Sequence, residues 1–177
     1  MPFSENLIHV LQGQFQVSDQ KQDVFSTVLG SCVAACLYDP VLKIGGMNHF
    51  LLPGSDPSER SNIKYGAHSM EQLINTMLRS GAQRSRIQAQ LFGGGNVAGS
   101  SMRIGDQNAS FAYHFMKDEG FHLTRWDLGG DTGRRLRFCP STGASKIAPI
   151  DMTVPEIAQA KAAPKPPQQP TGSIELF

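Results

Sequence analysis

With 177 residues and 40% hydrophobic side chains, the chain can build one domain with a sizeable core, or one domain and a tail. A formal charge of +1 argues against a nucleic-acid surface, no apolar run reaches membrane-span length, and no N-terminal signal pattern is present. The cysteine count of three is odd, which in such a chain points to reduced thiols and a cytoplasmic setting.

Residues 7–10 and 15–17 are two short apolar segments around Gly13 and read as an edge hairpin, with His9 on its surface. Residues 24–29 and 33–38 are β-branched and apolar enough to be buried strands. Residues 44–52 read as a third strand broken by Gly45 and Gly46. Asp39-Pro40 marks the turn between the second and third. Antiparallel pairing across that turn brings His49 back towards Cys32, which follows the Gly30-Ser31 corner at the start of the second strand.

A thiol beside an imidazole is what nucleophilic acyl chemistry needs. The thiolate attacks, and the imidazole takes the proton and later protonates the leaving group. A third polar group usually orients the base, and Ser26 and Thr27 lie just upstream. On a strand they point to opposite faces, so only one can reach the Cys32–His49 pair. Thr27, next to the apolar Val28-Leu29, is the one that must find a polar partner if buried. Backbone N–H groups at the Ser31-Cys32 corner are candidate oxyanion donors. The competing reading is a structural cysteine and a hydrogen-bonded core histidine. A zinc site on Cys32, Cys36 and His49 is a poor fit, because two cysteines four apart on a strand are separated by about 13 Å.

Residues 54–58, shortly after His49 and directly after Pro53, read as a polar loop. Residues 61–80 then carry Met70, Leu73, Ile74, Met77 and Leu78 at helical spacing, with Gly81 as the stop; His68 belongs to the exposed face. Residues 87–91 alternate like a strand and run into Phe92-Gly93-Gly94-Gly95-Asn96. That loop lacks the Gly-Lys-Ser/Thr ending of a phosphate loop, so close approach of a peptide backbone suits it better than nucleotide binding. Gly94 and Asn96 are therefore candidates for contacting a protein substrate or partner. Asp106 is expected to cap a second helix that buries Phe111, Ala112, Phe115 and Met116 and ends at Gly120. Residues 121–128 and 135–138 alternate like strands around a loop at 129–134, and a last strand follows near 146–150. Arg134 or Arg135 at the end of that loop suits a carboxylate, either on a partner or on Asp127 or Asp131. From residue 154 on, Pro, Ala, Gln and Lys dominate, which divides the chain into a domain at 1–153 and a tail at 154–177 expected to be disordered. The apolar end at 174–177 reads as a docking peptide or as part of that tail.

Several of these pieces resemble the chemoreceptor glutamine deamidase family, CheD: LGSCV at 29–33, LYDP at 37–40, GGMNHFLLP at 45–53 and KYG at 64–66. FGGGN at 92–96, IGDQN at 104–108 and DLGGDTGRR at 127–135 continue the series in order over about residues 5–150. The resemblance implies a cysteine hydrolase that converts receptor glutamines to glutamates and hydrolyses receptor glutamyl methyl esters. Its catalytic cysteine and histidine fall on Cys32 and His49. The family's threonine falls on Ser26 or Thr27, and the ungapped register favours Ser26. Gly95 and Gln90 depart from the family's usual Ala and Lys.

The expected fold is α+β, a layered sandwich of mixed or antiparallel sheet with two main helices; the layering is what the resemblance implies. The expected substrates are the cytoplasmic helices of methyl-accepting chemoreceptors, with no cofactor, no nucleic acid and no membrane insertion. The resemblance also admits a CheC-type phosphatase as partner, and with it the alternative of a non-catalytic regulatory binding module.

Overall fold

Two mixed sheets and two helices stack as three layers in the computed structural model, which describes residues 4–53, 60–97 and 103–151. The first sheet runs β1 (Asn6–His9), β3 (Asp23–Leu29), β8 (Gly133–Cys139), β9 (Ala144–Ile150). The second runs β2 (Phe15–Ser18), β5 (Ile44–Asn48), β4 (Val33–Asp39), β6 (Gln88–Gly93), β7 (His122–Leu128). Helices α1 (Arg60–Arg79) and α2 (Ile104–Asp118) cover the outer face of the second sheet. The fold is thus the α+β sandwich expected from the sequence.

Strand alternation divides the apolar residues between two seams. Val33, Ala35 and Leu37 of β4 face the helices and pack with Met70, Leu73 and Met77 of α1 and Ala112 and Met116 of α2. Ala34 and Cys36 face the first sheet and pack with Phe25, Leu29, Leu136 and Phe138. The Gly45-Gly46 pair reflects this closeness: a Cβ on Gly45 would lie 2.5 Å from the Pro140 carbonyl oxygen. Gln90 ties the sheets together, its amide donating to the Gly143 carbonyl at 2.7 Å and accepting from the Ser145 hydroxyl.

Two local expectations need correction. The N-terminal segments do not form a hairpin. β1 pairs parallel with β3 in the first sheet, and β2 pairs antiparallel with β5 in the second. Alternation identifies a strand but not its neighbour, and here the chain crosses from one sheet to the other at 10–14. Asp106 is not the N-cap of α2 either. The helix starts at Ile104 with Arg103 at the cap position, and Asp106 sits in the first turn. Its carboxylate accepts from the Asn96 amide at 2.8 Å and pairs with Arg103, so it fastens the glycine-rich loop to the helix. The polar loop at 54–58 and the tail at 154–177 lie outside the described residues.

β4 ends at Asp39, whose fully buried carboxylate closes the turn to β5. It accepts from the backbone N–H of Val41, Leu42 and Gln83 and pairs with Arg86 at 2.9 Å. Burial alone would raise its pKa, but Arg86 and the three backbone donors prevail and hold it at about 2.

Candidate active site

The corner between β3 and β4 is residues 30–32, where the chain passes from the first sheet to the second. Three carbonyls of this corner are each held from behind. Gly95 N–H donates to Gly30 at 2.9 Å, the Asn108 amide to Ser31 at 3.1 Å, and Gly94 N–H to Cys32 at 2.8 Å. This explains the glycine-rich loop. Gly93 has φ +110°, and a Cβ there would lie 2.2 Å from the Cys32 carbonyl oxygen, so only glycine lets the loop reach the corner.

The corner carries Cys32, half-buried against the inter-sheet cluster; none of the cysteines 32, 36 and 139 is in a disulfide. His49 lies just past β5. The β4–β5 ladder ends at Cys36–Met47, and an isolated bridge between Val33 and Phe50 keeps the same register. That register sets Ala34 opposite His49 and makes Cys32 and His49 diagonal neighbours on the face turned to the first sheet, a relation with a typical spacing of about 7–8 Å between backbones.

The His49 ring is 7% exposed and held at Nδ1. Thr27 Oγ1 reaches it from β3 at 2.9 Å, and the Val10 carbonyl oxygen lies 3.0 Å away. A carbonyl only accepts, so these partners assign the ring proton to Nδ1 and leave the lone pair on Nε2. Burial lowers the histidine pKa, opposed in part by the Val10 hydrogen bond, so the ring is neutral near pH 7. Nε2 is buried and has no hydrogen-bond partner among the described residues. Ser26, the other upstream hydroxyl, is buried on the opposite face of β3 and pairs through its backbone with β1.

The segment at 10–14 completes the enclosure. Gly13 N–H donates to the His49 carbonyl at 2.7 Å, and His49 N–H donates to the Gln14 carbonyl at 3.1 Å. The same segment carries Gln12, an exposed residue whose Oε1 accepts from the Cys32 thiol at 3.5 Å. Sequence reasoning missed Gln12 and Val10. Neither stands in a recognisable motif, and both reach the site only because the segment crosses between the sheets. It also missed Asn108, whose Oδ1 accepts from Leu52 N–H at 2.8 Å while its amide holds Ser31.

The remaining candidates lie behind the corner. Gly94 packs against α2, and Asn96 donates to Asp106 and, through its backbone, to Gly130. Arg134 is 9% exposed. Its guanidinium meets Asp127 at 3.0 Å and the carbonyls of Gly93, Thr132 and Gly129 at 3.3, 3.3 and 2.5 Å. Its charge serves the chain's own loop, and it braces the strand end that abuts Cys32. Among the described residues no cluster of three His, Cys, Asp or Glu side chains could hold a metal ion, and no helix is long and apolar enough to cross a membrane.

In class terms this is a two-sheet α+β protein with a thiol and a threonine-anchored imidazole in the seam between its sheets. The chain belongs to the CheD family. The family model for CheD chemotactic sensory transduction matches residues 51–149. That span begins just after His49, and full-length relatives cover the rest. A probable chemoreceptor glutamine deamidase CheD from Jannaschia sp. (strain CCS1) is 44% identical over 98% of this chain and 96% of its own. One from Sinorhizobium medicae (strain WSM419) is 45% identical over 96% and 95%, and one from Zymomonas mobilis 50% identical over 81% and 80%. A crystal structure of a Neisseria meningitidis protein of family DUF152 overlays with a TM-score of 0.44 at 12% identity, covering 72% of this chain and 64% of that one, too distant to bear on function.

Proposed function

We propose that this chain is a chemoreceptor glutamine deamidase that works through a Cys32 thioester. The observation that carries the reading is the state of His49: a neutral ring tethered at Nδ1 by Thr27 and Val10, with a buried Nε2 that has no partner among the described residues, one diagonal step from Cys32. The names of its relatives support the substrate, a receptor glutamine.

In the first half-reaction His49 Nε2 takes the thiol proton as the sulfur attacks the side-chain amide carbon, and the carbonyl electron pair moves onto oxygen. Backbone N–H groups at the Ser31-Cys32 corner receive that oxyanion. The oxyanion collapses, the carbon–nitrogen bond breaks, and the proton held by His49 leaves with ammonia. In the second half-reaction a water gives its proton to His49, its oxygen bonds to the thioester carbon, and the carbon–sulfur bond breaks. Glutamate is released and the thiol is restored. Thr27 orients the base. Each turnover adds a negative charge to a receptor helix, which alters repulsion between neighbouring helices. The same site would hydrolyse a glutamyl methyl ester with methanol as leaving group.

The test is ammonia release from purified chain and a chemoreceptor cytoplasmic fragment, with mass spectrometry of the fragment to locate Gln-to-Glu conversion. Conversion by wild type and none by Cys32→Ala is the expected result. A folded wild-type chain that binds the fragment and converts nothing would leave the regulatory binding module as the reading.

A further inference from the structure

We infer that Gln12 is a catalytic residue that selects the amide: its side-chain carbonyl accepts an N–H of the substrate's primary carboxamide and sets the leaving nitrogen towards His49. The inference rests on the deamidase reading and deepens it. It starts from a contact that reading leaves unused. Gln12 Oε1 lies 3.5 Å from Cys32 Sγ and is exposed, whereas Thr27 and His49 are buried. It therefore stands where an incoming substrate meets the sulfur.

Its position is fixed by the histidine it would serve. Residues on both sides of Gln12 are bonded to His49: Val10 O to the ring, Gly13 N–H to the carbonyl, and the Gln14 carbonyl to the N–H. Leu11 N–H donates to Gln14 Oε1 at 3.1 Å and Gln14 N–H to the Leu11 carbonyl at 2.9 Å, which closes the turn. Acceptor and base thus belong to one hydrogen-bonded unit.

Geometry then favours one partner. A carbon about to bond to sulfur lies roughly 3–3.5 Å from it and carries its nitrogen one bond further on. An acceptor 3.5 Å from the same sulfur comes within hydrogen-bond reach of that nitrogen when the amide turns its nitrogen to the Gln12 side. A primary amide nitrogen has two hydrogens. One given to Oε1 fixes the rotation of the nitrogen, so that its lone pair in the tetrahedral intermediate faces the proton on His49 Nε2. A methyl ester offers no hydrogen at that atom and turns lone pairs towards Oε1. A site built to accept an N–H discriminates against an analogue lacking one, because its own polar group is left unpaired. In the resting site the thiol S–H occupies the acceptor, and substrate displaces it as the proton passes to His49.

The experiment compares two probes: a chemoreceptor cytoplasmic fragment with Gln at the modified position, and the same fragment with its γ-methyl ester there. Ammonia and methanol release are measured for wild type, Gln12→Leu and Gln12→Glu. Gln12→Leu should lower amide turnover by about tenfold or more, the value of one lost hydrogen bond, and change ester turnover by less than about threefold. Gln12→Glu retains an acceptor and should keep the wild-type preference for amide even if both rates fall. Equal losses on both probes in Gln12→Leu, or a lost preference in Gln12→Glu, would overturn the assignment while leaving the deamidase reading intact. A wild-type chain releasing neither product would overturn both.

Discussion

The two ends of β4 handle buried polar groups in opposite ways. At its C-terminal end every oxygen of Asp39 is occupied, by three backbone N–H groups and the Arg86 guanidinium, and the carboxyl pKa is held down to about 2. At its N-terminal end the enclosure of His49 leaves one buried ring nitrogen without a partner among the described residues, diagonal to a thiol that is only half-buried. Between them lies Cys36, on the same face as Cys32 but fully buried, its thiol pushed far above the ordinary range by burial. One strand therefore carries a saturated charge and an inert thiol, and its N-terminal end faces an imidazole that follows β5. A satisfied buried group contributes to stability, whereas an unsatisfied one is retained against its desolvation cost.

The sharpest break in this comparison is between the two cysteines. Cys32→Ala should abolish deamidation in the ammonia assay, whereas Cys36→Ala should keep activity within about threefold, because burial keeps that thiol protonated and inert. A Cys36→Ala variant that is folded but inactive would reverse the assignment. His49→Ala should lower kcat by about 10²–10⁴, the usual contribution of a general acid–base. In wild type the acidic limb of kcat/KM should fall below pH 6.5, since burial depresses the His49 pKa and the base form persists to lower pH; a limb above 6.5 contradicts a buried neutral ring. Thr27→Val should cost about tenfold in kcat with little change in KM, and Ser26→Ala should cost nothing, because only Thr27 reaches the ring.

The other end of the strand gives the smallest effect, read as stability. The folded Asp39 pKa of about 2 lies below its ordinary 3.8, so its contribution is present above 3.8 and lost as pH falls towards 2. That difference corresponds to about 2 kcal/mol. Urea midpoints measured at about pH 5 and about pH 2.5 should converge between wild type and Asp39→Asn at the lower pH. A constant gap between them would show that the carboxylate's charge adds nothing.

Much of this was legible in the residues. The Asp39-Pro40 turn and the flanking strands imply that His49 returns to the start of β4, and strand alternation implies that Ser26 and Thr27 face apart. Alternation is set by each residue's own backbone, so it survives into the fold. The crossing at 10–14 was not legible, because which sheet receives a short apolar segment depends on surfaces formed elsewhere in the chain. Gln12 and Val10 were hidden for that reason, and Val10 acts through a backbone carbonyl that no side chain announces. Asp106 was misread because a carboxylate near a helix start is a general capping signal, and here a second claimant, the Asn96 amide, takes it. Arg134 could be matched to a carboxylate from sequence, but its three carbonyl partners come from loop paths that only the packed sheets define.

The strand that carries Thr27 also has a consequence for the order of assembly. Val10, Gln12, Thr27, Cys32 and His49 all precede residue 50, yet β3 lies between β1 and β8, and β8 begins at Gly133. A ribosome delivers the reactive groups more than eighty residues before the strand that flanks them, and closing so long a loop is slow and entropically costly. On the proposed mechanism the thiol is an ordinary cysteine during that interval, since the Thr27–His49 contact draws one partner from the first sheet. A chain cut before β8 carries all five residues and lacks the strand that pairs with β3, so on the proposed mechanism acquisition of activity during synthesis would report the docking of β8.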